Sequence, residues 1–111
     1  MKYIIEESRL ENIIFKYLNG KFEGIERKKG KYSDIVLSLP GEEYGLIGWE
    51  RPDRLYVYSE IFDEINLMFS MKESDALDVI GRYVESRYNL KVNHTALLEF
   101  WQEQTLRVDT I

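Results

Sequence analysis

Between residues 21 and 58 no helix can run far, and this stretch constrains the fold more than any other. Gly30, Pro40, Gly41, Gly45, Gly48 and Pro52 interrupt it at short intervals, and the intervening segments alternate in polarity. That pattern predicts short β-strands joined by turns. Phe22 to Lys28 is read as a first strand, and Lys29-Gly30 as the turn into a second, Tyr32 to Leu39. In the second strand Ile35, Leu37 and Leu39 share one face while Val36 and Ser38 share the other. Pro40-Gly41 suits a type II turn, with a fixed φ before a residue that tolerates positive φ. Tyr44 to Glu50 reads as the third strand, Pro52-Asp53 as a turn and Arg54 to Tyr58 as the fourth. Such short connections predict an antiparallel meander.

Helical spacing flanks this region on both sides. Over residues 1–20, Tyr3, Leu10, Ile14, Tyr17 and Leu18 recur at helical intervals, Ile13 and Phe15 widen the stripe, and Asn19-Gly20 offers a stop. From Ser59, read as an N-cap, the residues Ile61, Phe62, Ile65, Met68 and Phe69 form a second stripe. Ser74 is expected to cap a third helix carrying Leu77, Ile80, Val84 and Tyr88, which Asn89 ends. Leu90 to Asn93 reads as a short fifth, edge strand. The order α-ββββ-α-α-(β) lacks the alternation of a parallel α/β fold. It predicts an α+β domain over residues 1–95, with its helices packed on one face of the sheet. Residues 96–111 form a C-terminal tail, read as a helix, docked on the domain or on a partner.

Composition removes whole classes of chemistry. There is no Cys and one His in 111 residues, which excludes disulfides, thiolate metal sites and Cys nucleophiles. The glycines of PGEEYGLIG match neither GxGxxG nor a Walker loop. Hence no catalytic residue, cofactor or metal is expected. The net charge of −5 disfavours general nucleic-acid binding. Residues 21–33 nevertheless carry a net +3, and residues 42–78 a net −7. Tyr3-Ile4-Ile5 is too short for a signal-peptide core, and no apolar run approaches a membrane span, so a cytoplasmic location is expected.

The stretches ENIIFKYLNGKFEGIERKKGKYSDIVLSLPGEEYGLIGW (11–49) and IFDEINLMFSMKESDALDVIGRYVESRYNLKVNHT (61–95) resemble small uncharacterised open reading frames of marine bacteriophage and viral metagenomes. The likeness spans about residues 8–95 and omits the tail. It implies a phage accessory protein acting in the cytoplasm of a bacterial host, and carries no site residues with it.

Three functional readings follow from the residues. Aromatic content of 14% favours a non-enzymatic protein-interaction domain, one able to self-associate. Its expected contacts are Tyr44, Trp49, Tyr56 and Tyr58 on the sheet, with Phe100 and Trp101 in the tail. A second small core or simple cross-strand pairing is the alternative explanation for the tyrosines. The next reading is nucleic-acid contact through Arg27, Lys28, Lys29 and Lys31, with Phe22 and Tyr32 near enough to stack; Lys on exposed strands also blocks edge pairing. Last comes an enzyme of unknown class, using His94 with Glu99 or Asp34, or carboxylates such as Glu42, Glu43, Glu60, Asp63 and Glu64. Solvated turns and helix faces explain these acids without chemistry.

Overall fold

Alternating apolar residues make sense only when a strand has something to cover its apolar face, and three helices supply that cover. A computed structural model describes residues 7–109. Its elements are α1 (Glu7–Lys21), β1 (Glu26–Lys29), β2 (Ile35–Ser38), β3 (Ile47–Glu50), β4 (Arg54–Tyr58), α2 (Ser59–Phe69), α3 (Glu73–Tyr88) and β5 (His94–Leu98), followed by a 3-10 helix over Phe100–Leu106. The strands lie in sequence order in one five-stranded sheet. β1 to β4 form the expected antiparallel meander, whereas β5 runs parallel to β4. The sheet is therefore mixed, and α2 and α3 together make the long crossover that a parallel neighbour requires.

Register assigns the two faces. Ile35 pairs with Trp49 and Trp49 with Leu55, while Leu37 pairs with Ile47 and Ile47 with Val57. Leu37, Ile47, Leu55 and Val57 join Ile14 and Leu18 of α1, Ile61 and Ile65 of α2, and Ile80 and Val84 of α3 in the main core. On the opposite face Val36 pairs with Gly48, Gly48 with Tyr56 and Tyr56 with Ala96. Here Val36, Leu98, Leu106 and Val108 are buried without joining the main core.

The chain after the 3-10 helix closes this second face. Lys31 and Gly45 donate backbone N–H groups to the carbonyls of Arg107 and Leu106, both at 2.8 Å. In return, Val108 N–H reaches Glu43 O at 2.8 Å and Asp109 N–H reaches Lys29 O at 2.9 Å. Residues 106–109 thus form a clasp held between the β1–β2 connection and the β2–β3 connection. Gly45, which donates to the clasp, is also pressed against β2: a Cβ there would stand 2.2 Å from Val36 Cγ1 and 2.7 Å from the Leu37 carbonyl oxygen.

Several local expectations shift. The Pro40-Gly41 turn forms as read, with Gly41 at φ +81° and Glu42 N–H bonded to Leu39 O. Asn89 ends α3 in the left-handed conformation as expected. Asn19-Gly20 does not stop α1, which runs to Lys21. Tyr58 and Lys72, rather than Ser59 and Ser74, occupy the N-cap positions of α2 and α3. The fifth strand covers 94–98 instead of 90–93, and the tail's helix is a 3-10 helix beginning at Phe100. The part of the first helical reading before Glu7 lies outside the described residues.

Candidate functional site

Among the described residues, three exposed large apolar side chains fall on the outer helices. Leu67 is 85% exposed, Met68 50% and Ile13 46%. The helical repeat explains Leu67: α2 turns Ile61 and Ile65 into the core, and Leu67 stands about 160° away from Ile65 around the axis. Met68 was expected in the apolar stripe of α2, but its side chain is half in solvent near the end of that helix.

Helices α1 and α2 meet along a polar seam. Tyr17 Oη donates to Glu64 Oε2, and Lys21 Nζ approaches Glu64 Oε1 at 2.9 Å. Burial, and then the Glu64 carboxylate, push the Tyr17 hydroxyl well above the usual tyrosine range. The bonds from Tyr17 and then Lys21 hold the Glu64 carboxyl below the usual glutamate range. Lys21 lies with Glu60 at one end of the seam, and Leu10 with Phe69 and Met71 at the other, so the helices run antiparallel. Ile13 precedes Tyr17 by one turn and Met68 follows Glu64 by one turn. The two therefore occupy neighbouring levels, with Leu67 beside them on the outer side of α2.

Charges flank this patch in an ordered way. Exposed Arg9 and Lys16 lie on the same outer stripe of α1 as Ile13. Exposed Glu60 and Asp63 lie on the same outer stripe of α2 as Leu67. The outer stripe of α1 is therefore basic around Ile13 and that of α2 acidic around Leu67, with the polar seam of Tyr17, Glu64 and Lys21 between them.

The aromatic residues read from the sequence do not share one surface. Trp49 lies on the helix-covered face, and its indole Nε1 donates to Lys91 O at 2.8 Å. Tyr56 and Tyr58 lie on the other face, each half-buried, with Tyr56 Oη 3.3 Å from Glu50 Oε2. Tyr44, also half-buried, pairs with Arg107 in the clasp and accepts a bond from Gln104 Nε2 at 3.0 Å. Phe100 and Trp101 belong to the 3-10 helix by their backbone, but their side chains lie outside the described set. A second small core does lie on the tyrosine face, built from Val36, Leu98, Leu106 and Val108.

The basic residues divide. Arg27 reaches Tyr88 O, and Lys28 lies against Glu26 and Leu39 O. Lys29 and Lys31 remain at the tip with Tyr32, which is 59% exposed and has the Lys31 Nζ 5.7 Å from its ring centroid. Arg51, which sequence reasoning missed, adjoins this tip beside Asp34. Glu42 and Glu43 are exposed after the turn. His94 is exposed at the start of β5, while Asp34 accepts from the Arg51 backbone N–H.

Two further concavities are present. One of about 390 Å³ runs along α3 past Glu73, Asp78, Glu85 and Thr95. The other, about 620 Å³, is edged by Arg87, Phe22, Tyr83 and Tyr88, the Tyr83 ring meeting Phe22 at a tilt and Tyr88 edge to face. Burial, aided by Tyr83, pushes the Tyr88 hydroxyl up to about 12. Among the described residues no group of three or more His, Cys, Asp or Glu side chains is arranged to hold a metal ion. Nor is any described helix long and apolar enough to cross a membrane. No family model matches the chain, and neither a curated protein nor a solved structure is similar enough to it to match.

Proposed function

We propose that this chain is a small non-enzymatic protein-interaction domain, with its contact surface on the outer faces of α1 and α2. The observation that carries this reading is the exposure of Leu67, Met68 and Ile13 together on those two helices. Fully burying a side chain of this size contributes about 1.5–3 kcal/mol relative to leaving it in water; Leu67 offers most of that, and Met68 and Ile13, already half-buried, each offer a part of it. The contact differs from the tyrosine surface expected from sequence, because Tyr44 is engaged by the clasp and Trp49 faces the helices. The likeness of 11–49 and 61–95 to phage reading frames favours a role in the cytoplasm of an infected bacterium.

Crosslinking tests this reading. A photoreactive residue at position 67, in cells that express the chain, should yield discrete protein adducts. The same residue at exposed Glu85 on α3 should not. Absence of any protein adduct at position 67 would overturn the reading.

Nucleic-acid contact is the second reading, favoured by one observation: exposed Tyr32 stands among Lys29, Lys31 and Arg51. An aromatic ring with adjacent cations can stack a base while its neighbours meet the phosphates. Single-stranded oligonucleotides should then bind with an affinity that falls as salt rises, and Tyr32→Ala should weaken it. Salt-independent or absent binding removes this reading.

A further inference from the structure

We infer that the partner seated on the α1–α2 face is a second copy of the same chain, related by a twofold axis parallel to the two helices. This rests on the interaction reading above and names its occupant. The ground is charge complementarity. A twofold axis lying in the contact plane and parallel to the helices exchanges the left and right halves of the patch and keeps their heights. The basic stripe of one copy then faces the acidic stripe of the other, twice, and exposed Ile13 within the first comes level with exposed Leu67 within the second.

The heights agree as well. Ile13 and Met68 lie at neighbouring levels because Tyr17 and Glu64, one turn away on each helix, are bonded to each other. At 1.5 Å per residue, Lys16 stands about 4.5 Å beyond Ile13, and Asp63 about 7.5 Å beyond Met68 in the same direction. The flexible stem of a lysine covers that difference. Lys16 of each copy therefore meets Asp63 of the other, and Glu60 lies further along the same acidic strip. A twofold axis perpendicular to the helices is disfavoured, because it sets α1 on α1 and brings Arg9 against Lys16.

Charge reversal tests this pairing without touching the core, since Lys16 and Asp63 are both exposed. Solution mass should rise from monomer to dimer as wild-type concentration rises, and Leu67→Asp should abolish the rise. Lys16→Glu and Asp63→Lys should each weaken dimerisation about tenfold or more by setting like charges opposite each other. Mixing the two variants should restore a dimer containing one copy of each, which also shows that both remain folded. A wild-type chain that stays monomeric at every concentration would overturn the proposal. So would variants that dimerise like wild type, or a mixture that stays monomeric. If position 67 crosslinks only to other proteins, the self-pairing fails while the interaction reading stands; no adduct at all removes both.

Discussion

The two faces of the sheet are made by the same strands yet are closed by different means. The helix side is closed by area: α1, α2 and α3 lay a continuous apolar layer over Leu37, Ile47, Leu55 and Val57. On the clasp side the described apolar residues are fewer. The clasp brings a short backbone segment close, satisfies its polar groups on two connections, and among the described residues seals Val36, Leu98, Leu106 and Val108. Burial on the first face tolerates small adjustments of many side chains. Closure of the second depends on a few contacts of fixed geometry.

Truncation of the helix-covered core should give the largest effect. Leu55→Ala should cost about 2–5 kcal/mol, read as a fall in the chemical-denaturation midpoint of the whole protein. A smaller loss would mean that this face is not the principal store of stability.

Gly45→Ala should come next, at about 1–3 kcal/mol, and should act locally. Its methyl group would collide with Val36 and with the Leu37 carbonyl. Hydrogen exchange should then speed up at the amides of Lys31, Val108 and Asp109 while α3 keeps its protection. Equal loss of protection on both faces would erase the distinction between them.

The two faces differ in how much of each is written in local residue order. The β4 strand, the Pro40-Gly41 turn and the Asn89 helix end were legible because each rests on local alternation or local backbone preference. β5 was not. Thr95-Ala96-Leu97-Leu98 favours helix as readily as strand, and only its neighbour β4 makes it a strand. The clasp carries no apolar period, since its bonds are to backbone groups far away in the chain. Of the candidate contact residues, Ile13 and Met68 were visible as members of apolar stripes. Leu67 was missed, although its position opposite Ile61 and Ile65 on a helical projection was the available signal.

Titration gives a smaller difference, confined to the helix side. Glu64 is held below its ordinary pKa, so its contribution is fully present above the unfolded value of ~4.3 and is lost as pH falls through the folded one. Glu64→Gln should flatten that acid limb in a stability-against-pH series. At the alkaline end Tyr88 is raised, so its contribution holds below the unfolded value of ~10 and is lost as pH climbs to about 12. Tyr88→Phe should shrink that limb and leave the part to which raised Tyr17 and Tyr83 contribute.

The smallest predicted change is on the clasp side. Ser38 is fully buried, and its hydroxyl has no hydrogen-bond partner. Ser38→Ala should leave stability unchanged or raise it by up to about 1 kcal/mol, measured by the same denaturation curve. A clear loss would reveal a role for that hydroxyl in sealing the second face.

The clasp also fixes the order in which a growing chain can finish. Residues 29–31 and 43–45 emerge from the ribosome long before residues 106–109, the segment that fills the gap between them. Until then the helix side can already be assembled while Val36 waits under an open seam. A nascent chain halted before Leu106 would expose that seam to chaperones and proteases, although most of its core residues have been made.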